Sequence, residues 1–240
     1  AWIVGLLTLR LRHDYLAIAT FGVAVAFENV VRNADILGGA QGIRGFERPL
    51  RGLFDSALTY NILFFFFVLI LLIATYVFLE RLIASPFGRL LRAIREDETA
   101  AQSLGKSPSR IRLTAFIAGS VIMGLAGGLY ATFYAFISPQ DVLPILTFQI
   151  WAMLIVGGAG NNKGAVMGTF LIWAAWTASG WALSRFAPLE VQLYTGSIQF
   201  VLIGFVIVGM LLWRPQGLFP EKLVVSQSAG PKRQNRETVT

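Results

Sequence analysis

Few side chains in this chain could carry out chemistry by themselves. His13 is the single histidine, and cysteine is absent, so disulfides and thiolate metal sites are excluded. No group of His, Asp and Glu has metal-ligand spacing, and no serine or threonine has a credible base beside it. We therefore predict that the chain is not an enzyme and binds neither a metal nor a cofactor, and that His13 is a residue at a membrane edge.

One segment imitates a phosphate-binding motif. The letters "LGKS" at residues 104–107 resemble the end of a P-loop, in which a glycine stands five residues before the second glycine. Position 100 is Ala100 instead, and the surrounding pattern is helical rather than a loop after a strand. We expect no ATP binding by this chain.

Charges inside the apolar blocks are scarce. Glu28 is the one ionisable residue well inside such a block, and Arg32 follows four residues later on the same helix face. The two could form a local salt bridge near the membrane boundary, or they could line a pathway. The chain shows no row of acids suited to a proton-driven or sodium-driven carrier, so we expect any energy for transport to come from elsewhere.

The elements that position these residues are predicted to be membrane helices. Hydrophobic residues make up 55% of the 240 residues, charged residues 14%, and the mean hydropathy is +0.65. The apolar residues fall in blocks close to the roughly 20 residues that a bilayer-spanning helix needs. These blocks cover residues 15–31, 60–79, 113–137, 142–158, 164–183 and 191–213. We predict an all-α polytopic membrane protein with about six transmembrane helices.

The two ends differ from these blocks. Residues 1–9 are apolar but too short to cross a bilayer alone, and they read as the end of a further span. Together with a start that is not Met, this leads us to expect that N-terminal spans are missing. Residues 220–240 are predicted to form a polar C-terminal tail, of which about the last dozen residues are expected to be disordered, and residues 1–219 make up the transmembrane domain.

The basic residues predict the orientation. If the loop at residues 80–112 lies inside, only five of the 20 basic residues lie outside: Arg32, Arg44, Arg48, Arg51 and Arg185. The positive-inside rule favours this topology, with the C-terminal tail in the cytoplasm. The formal net charge of +7 is then explained without a nucleic-acid partner.

The loop at residues 80–112 is predicted to form a rigid knob. Ser85 and Pro86 are an N-cap and a first-turn proline, and apolar residues recur at helical spacing up to Leu104. Gly105 would end this amphipathic helix, and Ser107 with Pro108 would start the next one. The helix could lie on anionic lipid headgroups. It could equally dock on a protein partner, since three adjacent acids at residues 96–98 would be repelled by lipid phosphate.

Two glycine-dense segments interrupt the apolar pattern at residues 37–46 and 156–168. Gly160, Gly164 and Gly168 recur every four residues, as do Gly124 and Gly128, and this spacing suits close helix packing. Alternatively, broken or re-entrant helices could expose backbone groups to a polar solute in a water-filled cavity. The candidate backbone sites on this second interpretation are Gly38, Gly39, Gly42, Gly45, Gly157, Gly158 and Gly160.

The order of several segments resembles one known family. In sequence they are "LRLRHDYLAIATFG", "LGGAQGIRG", "SPFGRLLRAIREDETAAQSLG", "GLAGGLYA", "IVGGAGNNKGAVMGT" and "WRPQGLF". Together they resemble the permease subunits of branched-chain amino acid ABC importers, the LivH/LivM family, along the chain up to Phe219. The combination is more specific than any single segment, and the expected missing start would fit a fragment of that family.

The resemblance implies a function for the knob. It would be the coupling helix that meets a cytoplasmic ATPase, and the residues matched to that role are Arg95, Glu96, Glu98, Ala100, Ala101 and Gly105. Thr99 is inserted where an alanine often stands, and the Leu-Pro that ends fuller versions of the motif is absent. Glu96 and Glu98 would meet basic groups of the ATPase, while Phe87, Leu90 and Ile94 would seat the helix against the permease.

The resemblance also implies partner proteins and a cellular location. The chain would pair with a second, related permease in a bacterial inner membrane and receive substrate from a periplasmic binding protein. ATP and Mg²⁺ would be used by the separate ATPase subunits, which would drive alternating access. Branched-chain or other neutral amino acids are the expected substrates, and permeases for urea or short amides are the alternative within the family. A secondary carrier or channel with a lipid-bound knob is the alternative outside it.

Overall fold

The computed structural model describes residues 1–8, 11, 13–45 and 56–220. Arg10, Arg12, Arg48, Arg51, the side chain of His13 and the tail from residue 221 lie outside the described part. The helices of the described part are α1 Trp2–Thr8, α2 His13–Asn33, α3 Ala57–Ala84, α4 Pro86–Glu96, α5 Glu98–Ser103, α6 Pro108–Tyr134, α7 Pro144–Gly157, α8 Asn162–Phe186, α9 Leu189–Gln192 and α10 Thr195–Trp213. The strands described are β1 Ile43–Arg44 and β2 Phe136–Ile137.

Long apolar helices dominate the structure. Within the described ranges, five helices are long and apolar enough to cross a membrane, namely α2, α3, α6, α8 and α10. A helix satisfies its own backbone hydrogen bonds, which is what a segment surrounded by lipid requires. The chain is therefore an all-α, multi-pass membrane protein, as its sequence predicts.

The block predicted as a span at residues 142–158 forms a shorter helix. α7 has 14 residues, which at about 1.5 Å per residue is about 21 Å, against about 30 Å for the hydrocarbon core of a bilayer. Pro144 is its first residue, and Leu143 before it is extended, with φ −62° and ψ 145°. Because the residue before a proline avoids helical conformations, the helix begins later than the apolar block does.

In the first of two compact units, Ala1–Phe148, the short helices α1, α4 and α5 pack against α6. α1 packs against α2 and α6, while α4 packs against α3, α5 and α6. After α2 the chain forms 3₁₀ turns at Asp35–Leu37 and Gly39–Gln41, and β1 then pairs antiparallel with β2. The central windows of α3 and α6 have no buried residues in the isolated chain. The described part of the chain therefore leaves much of the surface of these two helices uncovered.

The second unit, Gln149–Thr240, has a small apolar core. Ala152, Val156, Ile172 and Ile203 are buried there, and α8 packs against α10. The side chain of Gln199 on α10 is also buried, and its Nε2 donates to the backbone oxygen of Trp176 on α8 at 2.8 Å. A polar side chain buried between two helices is stabilised when it has such a partner. This bond joins α8 and α10 inside the unit.

Candidate functional site

The knob, which we define as residues 85–107, begins with a tightly capped turn after α3. The Oγ of Ser85 donates to the Leu82 oxygen at 2.6 Å and accepts from the Gly88 N–H at 3.4 Å. Pro86 occupies the first helical position of α4, where a backbone N–H would have no helical partner. The cap and proline predicted from the sequence are both present.

Two arginines and a glycine hold α4 against the end of α3. Arg89 Nη1 donates to the Ala84 oxygen at 3.1 Å, and Arg92 Nη2 donates to the Ile83 oxygen at 3.2 Å. Cations at a helix C-terminus are favoured by the exposed carbonyls and the helix dipole. A Cβ on Gly88 would lie 2.6 Å from the Ile83 Cα, so only glycine fits at this position. Gly88 was not among the residues predicted from the sequence, although a glycine in the first turn of a helix can indicate such a close backbone approach.

The single amphipathic helix predicted up to Leu104 is instead two helices. Asp97, with φ −149° and ψ 104°, separates α4 from α5. Its N–H donates to the Ala93 oxygen at 2.9 Å, and its Oδ1 accepts from the Ala100 N–H at 2.9 Å. Aspartate is a favoured N-cap residue, and Glu98 directly after it suits the positive end of a new helix. The prediction of one continuous helix is therefore wrong, because these local caps outweigh the continuing apolar period.

The far end of α5 closes with a glycine turn. Gly105 has a φ of +72°, and its N–H donates to the Gln102 oxygen at 2.8 Å. The Lys106 N–H donates to the Ala101 oxygen at 3.2 Å, which completes a Schellman motif. The predicted turn at Gly105 is present. It leaves the side chain of Leu104 79% exposed at the tip of the knob.

The two acids matched to the coupling role have different surroundings. Glu98 Oε2 lies 2.7 Å from Arg112 Nη2, which forms an ion pair between α5 and the second turn of α6. The side chains of Arg112 and Glu98 are 29% and 39% exposed, so solvent screens the pair only in part. Glu96 at the end of α4 is exposed. Glu98 thus has a basic partner within its own chain, which the sequence analysis did not predict.

The other residues matched to the coupling role and those expected to seat the helix are divided between two faces. Ala101 on α5 and Ile94 on α4 are buried, and they turn toward the body of the unit. Arg95 and Ala100 are exposed. Phe87 and Leu90 are half-buried on α4. The knob therefore has a seated apolar face and an outward face that includes Arg95, Glu96, Ala100 and Leu104.

The first glycine-dense segment forms turns rather than a broken membrane helix. Gly38, Gly39 and Gly42 lie in or beside the two 3₁₀ turns, and Gly45 follows β1. The N–H groups of Gly38 and Gly42 donate to the oxygens of Asp35 and Gly39 at 3.0 and 3.3 Å. A Cβ on Gly42 would lie 2.9 Å from the Ser138 Cα. This segment therefore uses its backbone donors locally and packs tightly on the chain that follows α6.

A polar network lies on the other side of that contact. Asp141 Oδ2 accepts from the Ser138 N–H at 2.8 Å and from its Oγ at 3.0 Å, and Tyr130 Oη donates to Asp141 Oδ1 at 3.2 Å. The guanidinium of Arg44 lies 5.2 Å from the ring centre of Phe136, within the range of a cation–π contact. The cation–π contact and the pairing of β1 with β2 join the segment after α2 to the segment after α6.

Glu28 and Arg32 form the local salt bridge that was one of two interpretations of their spacing. Arg32 Nη2 lies 2.5 Å from Glu28 Oε1, and the two side chains are 46% and 11% exposed. α2 also packs against the turns at Gly39–Gln41 and Pro139–Val142. The predicted salt bridge is therefore present, and its carboxylate is shielded beside those turns.

The second glycine-dense segment separates α7 from α8. Gly158 and Gly160 have φ values of 113° and 91°, and Gly160 lies in the turn before α8 rather than on its face. Gly164 and Gly168 lie on α8 against α7: a Cβ on Gly164 would lie 2.5 Å from the Gly157 oxygen, and one on Gly168 would lie 2.7 Å from the Gly157 Cα. The two backbones meet there as small residues allow.

Residues after α10 return to cover this turn. The N–H groups of Leu218 and Phe219 donate to the oxygens of Val156 and Gly157, both at 3.0 Å. Asn161 Nδ2 donates to the Pro220 oxygen at 3.3 Å. The last carbonyls of α7, which have no partner inside their helix, are therefore capped by a segment about 60 residues later. Nothing in the local sequence pattern predicted this contact.

The other predicted packing pair has no partner within the described residues. Nothing lies within 4 Å of a Cβ placed on Gly124 or Gly128, so this face of α6 is open. A groove of about 380 Å³ lies between α3 and α6, lined by Asn61, Phe64, Phe65, Val68, Ala126, Leu129, Tyr130 and Phe133. Of these, only Asn61 and Tyr130 carry polar groups, so the groove has no charged group for either end of an amino acid. Across the described residues, no three His, Cys, Asp or Glu side chains come together as a metal site.

The chain is similar to known transport proteins along most of its length. A family described as "Branched-chain amino acid transport system / permease component" matches residues 1–211. The chain is 33% identical over 245 aligned residues to the high-affinity branched-chain amino acid transport system permease protein LivM of Salmonella typhimurium, covering 91% of this chain and 54% of the relative. It is 29% identical to the probable LivM of Methanocaldococcus jannaschii, covering 90% of this chain and 63% of the relative.

A relative with a different cargo also matches. The autoinducer 2 import system permease protein LsrC of Klebsiella pneumoniae is 27% identical over 173 residues, covering 70% of this chain and 48% of that protein. The chain spans about half the length of the curated relatives it matches. No solved structure matches it.

Proposed function

Because this chain belongs to the family of permease components of branched-chain amino acid transport systems, we propose that it is a transmembrane subunit of an ATP-driven importer for branched-chain or other neutral amino acids. It forms part of the translocation pathway and works by alternating access. The chemistry of ATP hydrolysis, with its Mg²⁺, belongs to a separate ATPase subunit, and this chain is not an enzyme.

The knob is the observation that carries this proposal. Its two helices are capped at Ser85, Asp97 and Gly105. Because these caps define the turns, a displacement of the knob by a partner is transmitted to α3 and α6. Its outward face mixes charge with an exposed apolar tip at Leu104. A mixed surface of this kind suits a protein partner better than a bilayer, because charge sets orientation and excludes wrong partners.

On this proposal the ATPase docks on the outward face of the knob. Glu96 offers its carboxylate to a basic group of the ATPase, and Arg95 and Ala100 lie beside it on the exposed side. Glu98, which already pairs with Arg112, acts within the permease. The alternative, in which the knob lies on anionic lipid, leaves the adjacent acids facing lipid phosphate.

The glycine segments shape the pathway rather than bind its cargo. Backbone N–H groups of the first segment donate within its turns, and the carbonyl of Gly157 accepts from Phe219. We assign these glycines to the bends of the pathway wall. The periplasmic binding protein then sets much of the specificity, and the likeness to an autoinducer 2 permease supports a fold that accepts different cargoes. Urea or a short amide is the alternative substrate class.

The partners and the orientation complete the proposal. The open face of α6 around Gly124 and Gly128 suits close contact with a second, related permease subunit. The membrane is the bacterial inner membrane, with residues 80–112 and the C-terminal tail in the cytoplasm. The concentration of basic residues on that side supports this orientation.

The test is uptake into proteoliposomes that contain the assembled complex, with ATP in the lumen and the binding protein outside. Radiolabelled leucine, isoleucine and valine should accumulate only with hydrolysable ATP and ATPase subunits present. Uptake that persists without ATP or without the ATPase would contradict the proposal and favour a secondary carrier. Preferential uptake of labelled urea or acetamide would favour the alternative substrate class.

A further inference from the structure

The orientation of α5 depends on contacts outside the helix itself. It has six residues, fewer than two turns, and isolated helices of that length are not stable in water. On one side, Asp97 is extended, so α5 does not continue the direction of α4. On the other side, four residues separate it from α6, and the left-handed Gly105 is one of them. Continuous helix therefore connects α5 to neither neighbour.

One charged contact crosses from α5 to α6. It joins Glu98, the first residue of α5, to Arg112 near the start of the 27-residue span. The planar guanidinium of arginine holds a carboxylate in a defined direction, unlike the point charge of lysine. The burial of Ala101 fixes how closely α5 approaches the unit, but a methyl group alone does not fix the direction of the helix.

We propose that Glu98 and Arg112 are a positioning pair that transmits movement of α5 into α6. This inference rests on the proposed function, in which the ATPase moves the knob during the transport cycle. Displacement of α5 then pulls on α6 through the ion pair as well as through the glycine turn. Without the pair, α5 pivots at Gly105, and ATP hydrolysis proceeds with less movement of the span. Neither residue touches the substrate.

The pair is tested in the reconstituted complex with three variants: Glu98→Gln, Arg112→Gln and the charge exchange E98R/R112E. ATP hydrolysis and amino acid uptake are measured in the same preparation. Each single substitution should lower the number of molecules imported per ATP by about two- to fivefold, the range expected for a partly exposed ion pair. ATPase association should be retained, and the exchange variant should recover most of the loss.

The controls are Arg110→Gln, an exposed arginine two residues earlier on α6, and Thr99→Ala beside Glu98. Both should import the same number of molecules per ATP as the wild type. An unchanged ratio in the single variants, or an exchange variant no better than the single ones, would overturn the inference. Failure of all three variants to assemble with the ATPase would also overturn it. If the wild-type complex shows no ATP-dependent uptake, the proposed function fails and this inference fails with it. If the wild type shows ATP-dependent uptake and the single variants do not differ from it, only this inference fails, so the two failures are distinguishable.

Discussion

At the scale of single residues, a few positions define the knob. Asp97 both ends α4 and caps α5, since its N–H and its carboxylate each have a backbone partner. Gly88 lets α4 approach the end of α3, and Gly105 provides the left-handed residue that closes α5. Each of these residues acts through backbone geometry, which explains how so short a segment holds its shape without a large core.

The left-handed conformation of Gly105 gives the first prediction. Gly105→Val should destabilise the turn by about 1–2 kcal/mol, the cost of a left-handed conformation for a residue with a side chain. Gly105→Asn should be tolerated, because asparagine adopts this conformation more readily. In the assembled complex, the valine variant should hydrolyse ATP but import fewer molecules per ATP, and the asparagine variant should remain coupled. Normal coupling in the valine variant would show that the turn has no such role.

At the scale of elements, the α7–α8 hairpin in the second unit depends on close backbone approach. Gly164 and Gly168 contact the last turn of α7, and the carbonyls of that turn accept hydrogen bonds from Leu218 and Phe219. The returning segment after α10 therefore fixes the end of the hairpin and joins it to the rest of the unit.

Gly168→Ala is predicted to destabilise this hairpin. A Cβ at this position would lie 2.7 Å from the Gly157 Cα, so the two helices have to separate. The expected loss is about 1–3 kcal/mol, as for overpacked interiors, and it should appear as a lower midpoint of thermal unfolding in detergent.

Gly204→Ala on α10 is the matched control, because nothing lies within 4 Å of its added Cβ. Its unfolding midpoint should stay at or slightly above that of the wild type, since alanine favours helix. Equal midpoints for the two variants would contradict the close packing of α7 on α8.

At the scale of the whole molecule, the long apolar helices describe a protein that lies in a membrane. The spans α3 and α6 bury none of their central residues inside the chain. If residues 80–112 lie inside, as the sequence predicts, only five of the 20 basic residues lie outside, which is the asymmetry that the positive-inside rule describes. The orientation proposed here follows from that asymmetry.

The orientation can be tested directly because the chain has no cysteine. Gln41→Cys and Ser103→Cys introduce single thiols at exposed positions, between α2 and α3 and in the knob. A membrane-impermeant maleimide should label Gln41→Cys in intact spheroplasts, and it should label Ser103→Cys only in inverted vesicles. The cysteine-free parent protein is the control for background labelling. The reverse pattern would mean that the knob faces outward, and ATPase docking would then be excluded.

The sequence by itself determined the class of the protein, its main spans and the two ends of the knob. Long apolar runs specify membrane helices through transfer free energy, and residues such as Ser85, Pro86 and Gly105 specify helix ends through their own backbone preferences. These properties are local, so they can be predicted from a window of sequence. The apolar block at 142–158 was predicted to be a full span, but its helix is shorter because Pro144 delays the start of the helix.

Only the tertiary structure decided which distant residues meet. The pairing of Glu98 with Arg112 and the return of Phe219 to Gly157 depend on how helices pack, and no local pattern specifies that. Glycines every four residues have the same spacing whether a neighbour is present, as at Gly164, or absent, as at Gly124. Close packing requires two surfaces, and the sequence of one surface does not identify the other.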